Sequence, residues 1–302
     1  MDMNEYQREA LRTDRVPKKT GSDDELSFIV PMLGLAGETG QLLSEYKKHL
    51  RDGDAYKIFK ERIGEELGDL LWYVSNVASK FGLDLDKIAA DNLLKVGARF
   101  SGSHSRPAHF DEAFPEHERI PRRFVIELVE IKQDGQKRVQ VKMDGQIVGA
   151  PLTDNAYDSD GYRFHDVFHF AYAAILGWSP VTRSILGRKR KSQPLRDEVE
   201  DGGRASVIEE GISALVFGYA RGHQFLRGIT AVDYSLLRTI QSMTAHLEVR
   251  SRTTGDWEEA ILQGFSVWRA VVQTSGGRLR IDLDERKIEY LGSPERDISK
   301  AS

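Results

Sequence analysis

The sequence contains no cysteine, which excludes disulfides, thiolate metal ligands and a cysteine nucleophile. It lacks any apolar run long enough to cross a bilayer, and its first residues, MDMNEYQREALRTDR, are amphipathic and mixed in charge rather than leader-like. It also lacks an excess of one charge. A formal net charge of -4 over 302 residues supplies no general basic field to attract nucleic acid. These absences lead us to expect a soluble, cytoplasmic protein with neither membrane nor nucleic acid as a partner. What is present fits a folded chain: 40% hydrophobic and 30% charged residues, enough for a sizeable core, over a length that suits two domains.

The informative stretch is residues 33–73, LGLAGETGQLLSEYKKHLRDGDAYKIFKERIGEELGDLLWY. Two helical patterns are joined there by the polar Asp52-Gly53-Asp54. On the first, Gln41 and Glu45 fall within about 60° of Glu38 on the helical wheel, so the three share a face. On the second, Ile63, Leu67, Leu70, Val74 and Val77 mark the expected core stripe, with Glu66 and Asp69 along its edge and Glu65 pointing away. Carboxylates converging between two helices need a cation, because burying an unpaired charge costs several kcal/mol. Hard oxygen ligands suit magnesium or manganese. The alternative is that these are solvated helix charges. Gly34, Gly37, Gly40, Gly64 and Gly68 argue for close backbone approach instead, since each costs about 1 kcal/mol of helix propensity.

GLAGETGQLL followed by EELGDLLWY resembles the MazG-like all-α nucleoside triphosphate pyrophosphohydrolases, whose motif is ExxE, a spacer and ExxD. The resemblance covers about the first third of the chain, expected as a helical domain over residues 1–100. It implies that Glu38, Gln41, Glu66 and Asp69 occupy the motif positions and hold Mg2+ or Mn2+, with Glu38 or Glu66 positioning or deprotonating the attacking water. The second position departs from the pattern. Gln41 is neutral, so either Glu45 on the same face substitutes or metal binding is weakened. DNLLKVGARF resembles the family's closing helix, which implies that Asn92, Lys95 and, less directly, Arg99 meet the substrate's phosphates; base recognition is expected from apolar and aromatic residues near Trp72 and Tyr73 or from the N-terminal helix, and no short motif identifies it. The implied reaction cleaves a nucleoside triphosphate to a monophosphate and pyrophosphate, and the implied assembly is a homo-oligomer, dimer or tetramer. A competing reading is a nucleotide-binding or sensing module, weak or inactive in hydrolysis, joined to an interaction domain.

Residues 101–121 lose periodicity and read as a linker, with His104, His109 and His117 as surface histidines. A second domain is expected over 122–302. Alternation and the Asp134-Gly135 and Asp144-Gly145 turns predict strands in 122–150, and two more in 278–291 would complete a small antiparallel sheet. Between them, 162–273 is helical. There VIEEGISALVF parallels IGEELGDLLWY, with Glu210 in the place of Glu66 and Ser213 in that of Asp69, so the region reads as a degenerate copy of the first. The fold expected is thus mainly α, an N-terminal MazG-like bundle followed by a small sheet and a second helical region.

In HDVFH, His165 and His169 are four apart with Asp166 beside them, a spacing by which a helix can chelate metal. A zinc-protease motif is excluded because Asp166 stands where its glutamate would be. Two readings remain: a second metal site completed by Glu210, or buried polar residues held by hydrogen bonds, which the apolar surroundings favour. The opposed charge blocks Arg188 to Lys191 and Asp197 to Asp201 are expected to neutralise each other on a solvated loop.

Overall fold

A computed structural model describes residues 1–15, 25–100 and 108–293, and the side chains of residues 25, 26, 94, 95 and 98–100 lie outside that description. The chain divides into two units, Met1–Gly97 and Ala98–Ser302. No helix among the described residues is long and apolar enough to cross a membrane.

The first unit is helical: α1 (Met3–Arg12), α2 (Glu25–Asp52), α3 (Phe59–Lys80) and α4 (Leu85–Phe100). Asp2 caps α1 by accepting from the Glu5 amide, filling one of the orphan donors of the first turn. Gln7 ties α1 to the turn after α3, its amide donating to the Leu83 carbonyl (2.8 Å) and its carbonyl accepting from the Leu85 amide (3.0 Å). α2 and α3 form an antiparallel hairpin. Its burial departs from the expected stripe: Leu67 and Val74 are 53% and 39% exposed, whereas Ser75, Asn76 and Ala78 are buried. Ile63, Leu70 and Val77 of the same stripe are half-buried, so the inward face of α3 is shifted from the expected stripe only in part. Of the expected glycines, only Gly34 marks a close approach, because a Cβ there would sit 2.1 Å from the Tyr73 ring. Gly37, Gly40, Gly64 and Gly68 face open space.

The second unit combines helices with a sheet. Its strands are β1 (Arg123–Gln133), β2 (Gln136–Met143), β3 (Gln146–Leu152), β4 (Gly276–Asp282) and β5 (Lys287–Gly292). They pair antiparallel in the order β3-β2-β1-β4-β5, so the fourth strand returns beside the first and ties residues near 280 to those near 125. Two-residue Asp-Gly loops close the first two hairpins with positive φ at all four residues, the backbone twist that such tight connections require. Phe124, Ile126 and Leu128 alternate inward on β1 and meet the core, as do Leu279 and Ile281 on β4.

Between β3 and β4 run α5 (Asp166–Leu176), α6 (Pro180–Ile185), α7 (Pro194–Val199), α8 (Gly203–Arg221), α9 (Tyr234–Met243) and α10 (Thr254–Thr274). α5 is buried along its whole length. It packs against α10, where Gly264 lets the backbones close: a Cβ there would lie 3.2 Å from that of Ala171. The region is not laid out as a copy of the first unit, because its central helix is covered by α10 and by the sheet rather than by a hairpin partner.

Two further expectations change. Residues 108–121 are built into the second unit: Phe114 and Ile120 are buried, and the Asp111 carboxylate accepts from Arg183 (2.8 Å) and pairs with Arg122 (2.7 Å). His117 is exposed and His109 lies 3.2 Å from Asp284, while His104 lies outside the described residues. The opposed charge blocks do neutralise, but inside the protein. Arg190 is fully buried, forked onto Asp201 (2.7 and 3.0 Å) and reaching Glu248 (2.7 Å). A guanidinium can be buried only when its donors are matched in this way.

Candidate functional site

The first unit brings Glu38 of α2 together with Glu66 and Asp69 of α3, one carboxylate oxygen of each lying within 4.8 Å of the others. Glu66 and Asp69 are three apart and so share a helix face; α2 supplies Glu38 from across the hairpin. Glu66 Oε2 is buried and has no hydrogen-bond partner among the described residues. Burial, then the neighbouring charges of Glu38, Asp69 and Glu45, push the Glu66 carboxyl above the ordinary carboxylate range. Tyr6 of α1 was not singled out from the sequence. Burial, then the charge of Asp69, raise its hydroxyl. No motif marks such a residue; it enters through the packing of α1 on α3.

The other residues expected around this cluster are arranged differently. Gln41 is exposed and directs its amide towards Glu38 at 3.5 Å. Glu45 is buried, but its two oxygens accept from Lys48 and from the Tyr56 hydroxyl, and these bonds hold its carboxyl low. Trp72 donates its indole N–H to Thr13 (2.7 Å) and stacks edge-on to Tyr73. Asn92 is exposed on α4; the side chains of Lys95 and Arg99 lie outside the described residues.

The second unit holds a chemically different cluster. His165, Asp166 and His169 at the start of α5 are buried and each offers a donor atom within 4.8 Å of the others. Successive turns of α5 put both imidazoles on one side, and α8 faces them with Glu209 and Glu210. Glu209 is fully buried; its Oε1 contacts His169 Nδ1 (2.9 Å) and accepts from Ser179 (2.6 Å), while its Oε2 accepts from the Val181 amide (2.9 Å). Burial alone would lower the His169 pKa, but the Glu209 and Glu210 carboxylates outweigh it and push it up to about 10. His165 shifts the other way, lowered by burial and by His169. Burial dominates at Asp166 and raises its carboxyl. Sequence reading chose Glu210 and passed over Glu209. Adjacent residues on a helix lie about 100° apart, so one member of this pair points into the core and the other to its edge.

An α-rich unit closed by a five-stranded antiparallel sheet, with a buried His-Asp-His cluster able to accept a metal, defines the class of the second unit. The chain belongs to the MazG C-terminal domain family, whose model matches residues 105–294. This corrects the expected placement of the resemblance, which was the N-terminal third. The match falls on the second unit, and the short motif misled because Glu38 and Gln41 on one helix and Glu66 and Asp69 on the next, each pair three apart, need only amphipathic spacing. The chain is also similar to the Gene 37 protein of Mycobacterium phage L5, 33% identical over 103 residues, which is 33% of this chain and 89% of the phage protein. No solved structure matches it.

Proposed function

We propose that the protein is a metal-dependent hydrolase that splits nucleoside triphosphates, ribo- or deoxyribo-, into a monophosphate and pyrophosphate. The observation that carries this reading is the convergence of Glu38, Glu66 and Asp69, with a buried oxygen on Glu66 that has no hydrogen-bond partner among the described residues. Membership of a MazG family by the second unit supports it independently of that cluster. All the donors there are carboxylate oxygens, which suits Mg2+ or Mn2+. A bound divalent ion would supply charge neutralisation for the phosphate chain during in-line displacement. Glu38 and Glu66 are the groups that orient or deprotonate the attacking water. Glu66 suits the base role, because its raised carboxyl is more basic than an ordinary glutamate. Asn92, Lys95 and Arg99, on one helix, are the residues assigned to the phosphates, and Trp72 to the base.

The same unit supports assembly with a second copy of the chain. Leu33, Leu43, Leu50, Leu67 and Leu93 are all more than half exposed, whereas Ala10, Ala78 and Leu85 are its buried apolar residues among those described. A second copy packed on these leucines would take them out of water, which supports this reading. Light scattering on the purified chain should give at least a dimer mass, and Leu43→Glu with Leu67→Glu should reduce it to a monomer.

A second reading has its own support. With Gln41 neutral and Glu45 bound to Lys48 and Tyr56, the cluster retains fewer charges than a full acidic motif, which would suit a module that binds nucleotide without turning it over. Product analysis separates the two. Monophosphate and pyrophosphate formation that requires Mg2+ and disappears in Glu66→Gln supports hydrolysis; tight binding without turnover on any nucleotide supports the binding module.

A further inference from the structure

The second unit's histidine cluster carries an inference that does not depend on the acidic site. Glu210 Oε2 lies 3.6 Å from His165 Nε2 and 3.4 Å from His169 Nε2. Both imidazoles commit Nδ1 elsewhere, His165 to the Tyr162 carbonyl (2.8 Å) and His169 to Glu209 (2.9 Å). A carbonyl or carboxylate on the far nitrogen is how proteins fix the tautomer and aim of metal-ligating histidines. The Tyr162 ring also stacks on His165, with centroids 4.4 Å apart, and holds its plane. Glu209 is itself held by Ser179 and the Val181 amide, so the support extends one layer further out. His169 Nε2, fully buried, makes no hydrogen bond among the described residues, and the group facing it is the Glu210 carboxylate at 3.4 Å. An ion between the two would satisfy both.

We propose that His165, Asp166, His169 and Glu210 bind a single divalent transition metal of the zinc and cobalt class, chemically distinct from the ion assigned to the acidic cluster. Donors of a tetrahedral site with bonds of about 2.0–2.1 Å sit about 3.3 Å apart, close to the separations of Glu210 from the two imidazoles. Two imidazole nitrogens and two carboxylates favour zinc, cobalt or a neighbouring metal over magnesium, which takes oxygen ligands. Charge argues the same way: three carboxyl groups, Asp166, Glu209 and Glu210, gather round two imidazoles, an acidic surplus that a divalent ion would offset. Glu210 is 45% exposed while the histidines are buried, so solvent reaches the centre from the α8 side. Water or a ligand oxygen would enter there as a fifth ligand, an expansion that zinc sites accept.

The test uses Co2+ alone as the probe, on the full chain stripped with chelator and carrying Glu38→Gln and Glu66→Gln to silence the acidic cluster. Visible absorption and elemental analysis after desalting should show about one Co2+ per chain, displaced by one equivalent of Zn2+. Glu210→Gln, at a half-exposed position where folding should survive, is expected to weaken binding at least about tenfold, and His165→Gln about a hundredfold. Absence of Co2+ binding in the silenced background would overturn the proposal. So would an affinity unchanged by Glu210→Gln in a variant whose circular dichroism matches the parent. Neither result bears on Mg2+-dependent turnover, so the two sites fail separately.

Discussion

The two units solve the burial of charge in opposite ways. In the first, carboxylates converge on a hairpin that leaves Leu43, Leu50 and Leu67 more than half exposed, and no described cation is bonded to Glu66. In the second, buried carboxylates at Asp111, Asp201 and Glu248 are each met by a guanidinium, and Glu209 by an imidazole, a hydroxyl and an amide. A site that leaves charge uncompensated depends on a ligand to complete it. A site that balances its charges serves architecture, and the His165–Glu210 group is where the second unit departs from that habit.

Breaking the second unit's charge balance should have the largest effect. Arg190→Met leaves Asp201 and Glu248 buried without their main partner and should cost about 3–5 kcal/mol. Denaturant unfolding followed by Trp fluorescence should show the transition that reports Trp178 and Trp257 moving to lower denaturant, while far-UV signal from the first unit's helices melts unchanged. In the first unit, adding charge should instead improve the site. Gln41→Glu should tighten Mg2+ binding by calorimetry and, if the cluster is catalytic, raise turnover up to about tenfold, equivalent to about 1.4 kcal/mol; tighter metal without turnover would favour the binding module.

Acid should distinguish the units more gently. The arginines hold the Asp111 carboxyl below the ordinary range despite its burial, and Asp154 and Asp256 are lowered likewise. A carboxyl that is more acidic in the folded state contributes stability that is complete above its unfolded value and lost as pH falls through the folded one. The second unit should therefore weaken below about pH 4. Glu66 has the opposite sign: raised in the folded state, it takes up a proton on acidification and relieves repulsion with Glu38 and Asp69. Thermal melts between pH 3 and 7 would show the second unit's transition falling first.

Much of this architecture was legible in the sequence where the signal is local. Alternation and Asp-Gly turns located the strands, because a two-residue loop and a period of two leave few other options. Helical spacing was enough to place Glu38, Glu66 and Asp69 as neighbours. What escaped depends on packing between distant segments. Asp111 sits in a stretch without periodicity, yet Arg183, 72 positions later, draws it into the interior. Arg190 looked like one of four solvated charges, and only Asp201 and Glu248 show why it is buried. Finding Glu209 beside the expected Glu210 required knowing which way α8 turns. The family assignment was misplaced for a related reason: four acidic or amide positions on a hairpin describe a local chemistry that an unrelated pair of helices can share, whereas the family match draws on a whole unit.

The most direct test of the functional account is 31P NMR of the products formed from a panel of ribo- and deoxyribonucleoside triphosphates in Mg2+, with the wild-type chain beside Glu66→Gln. The account predicts monophosphate and pyrophosphate from at least one nucleotide, abolished by chelator and reduced about 10²–10³-fold in the variant without loss of fold. Turnover that survives Glu66→Gln intact, or cleavage to a diphosphate and inorganic phosphate, would contradict it.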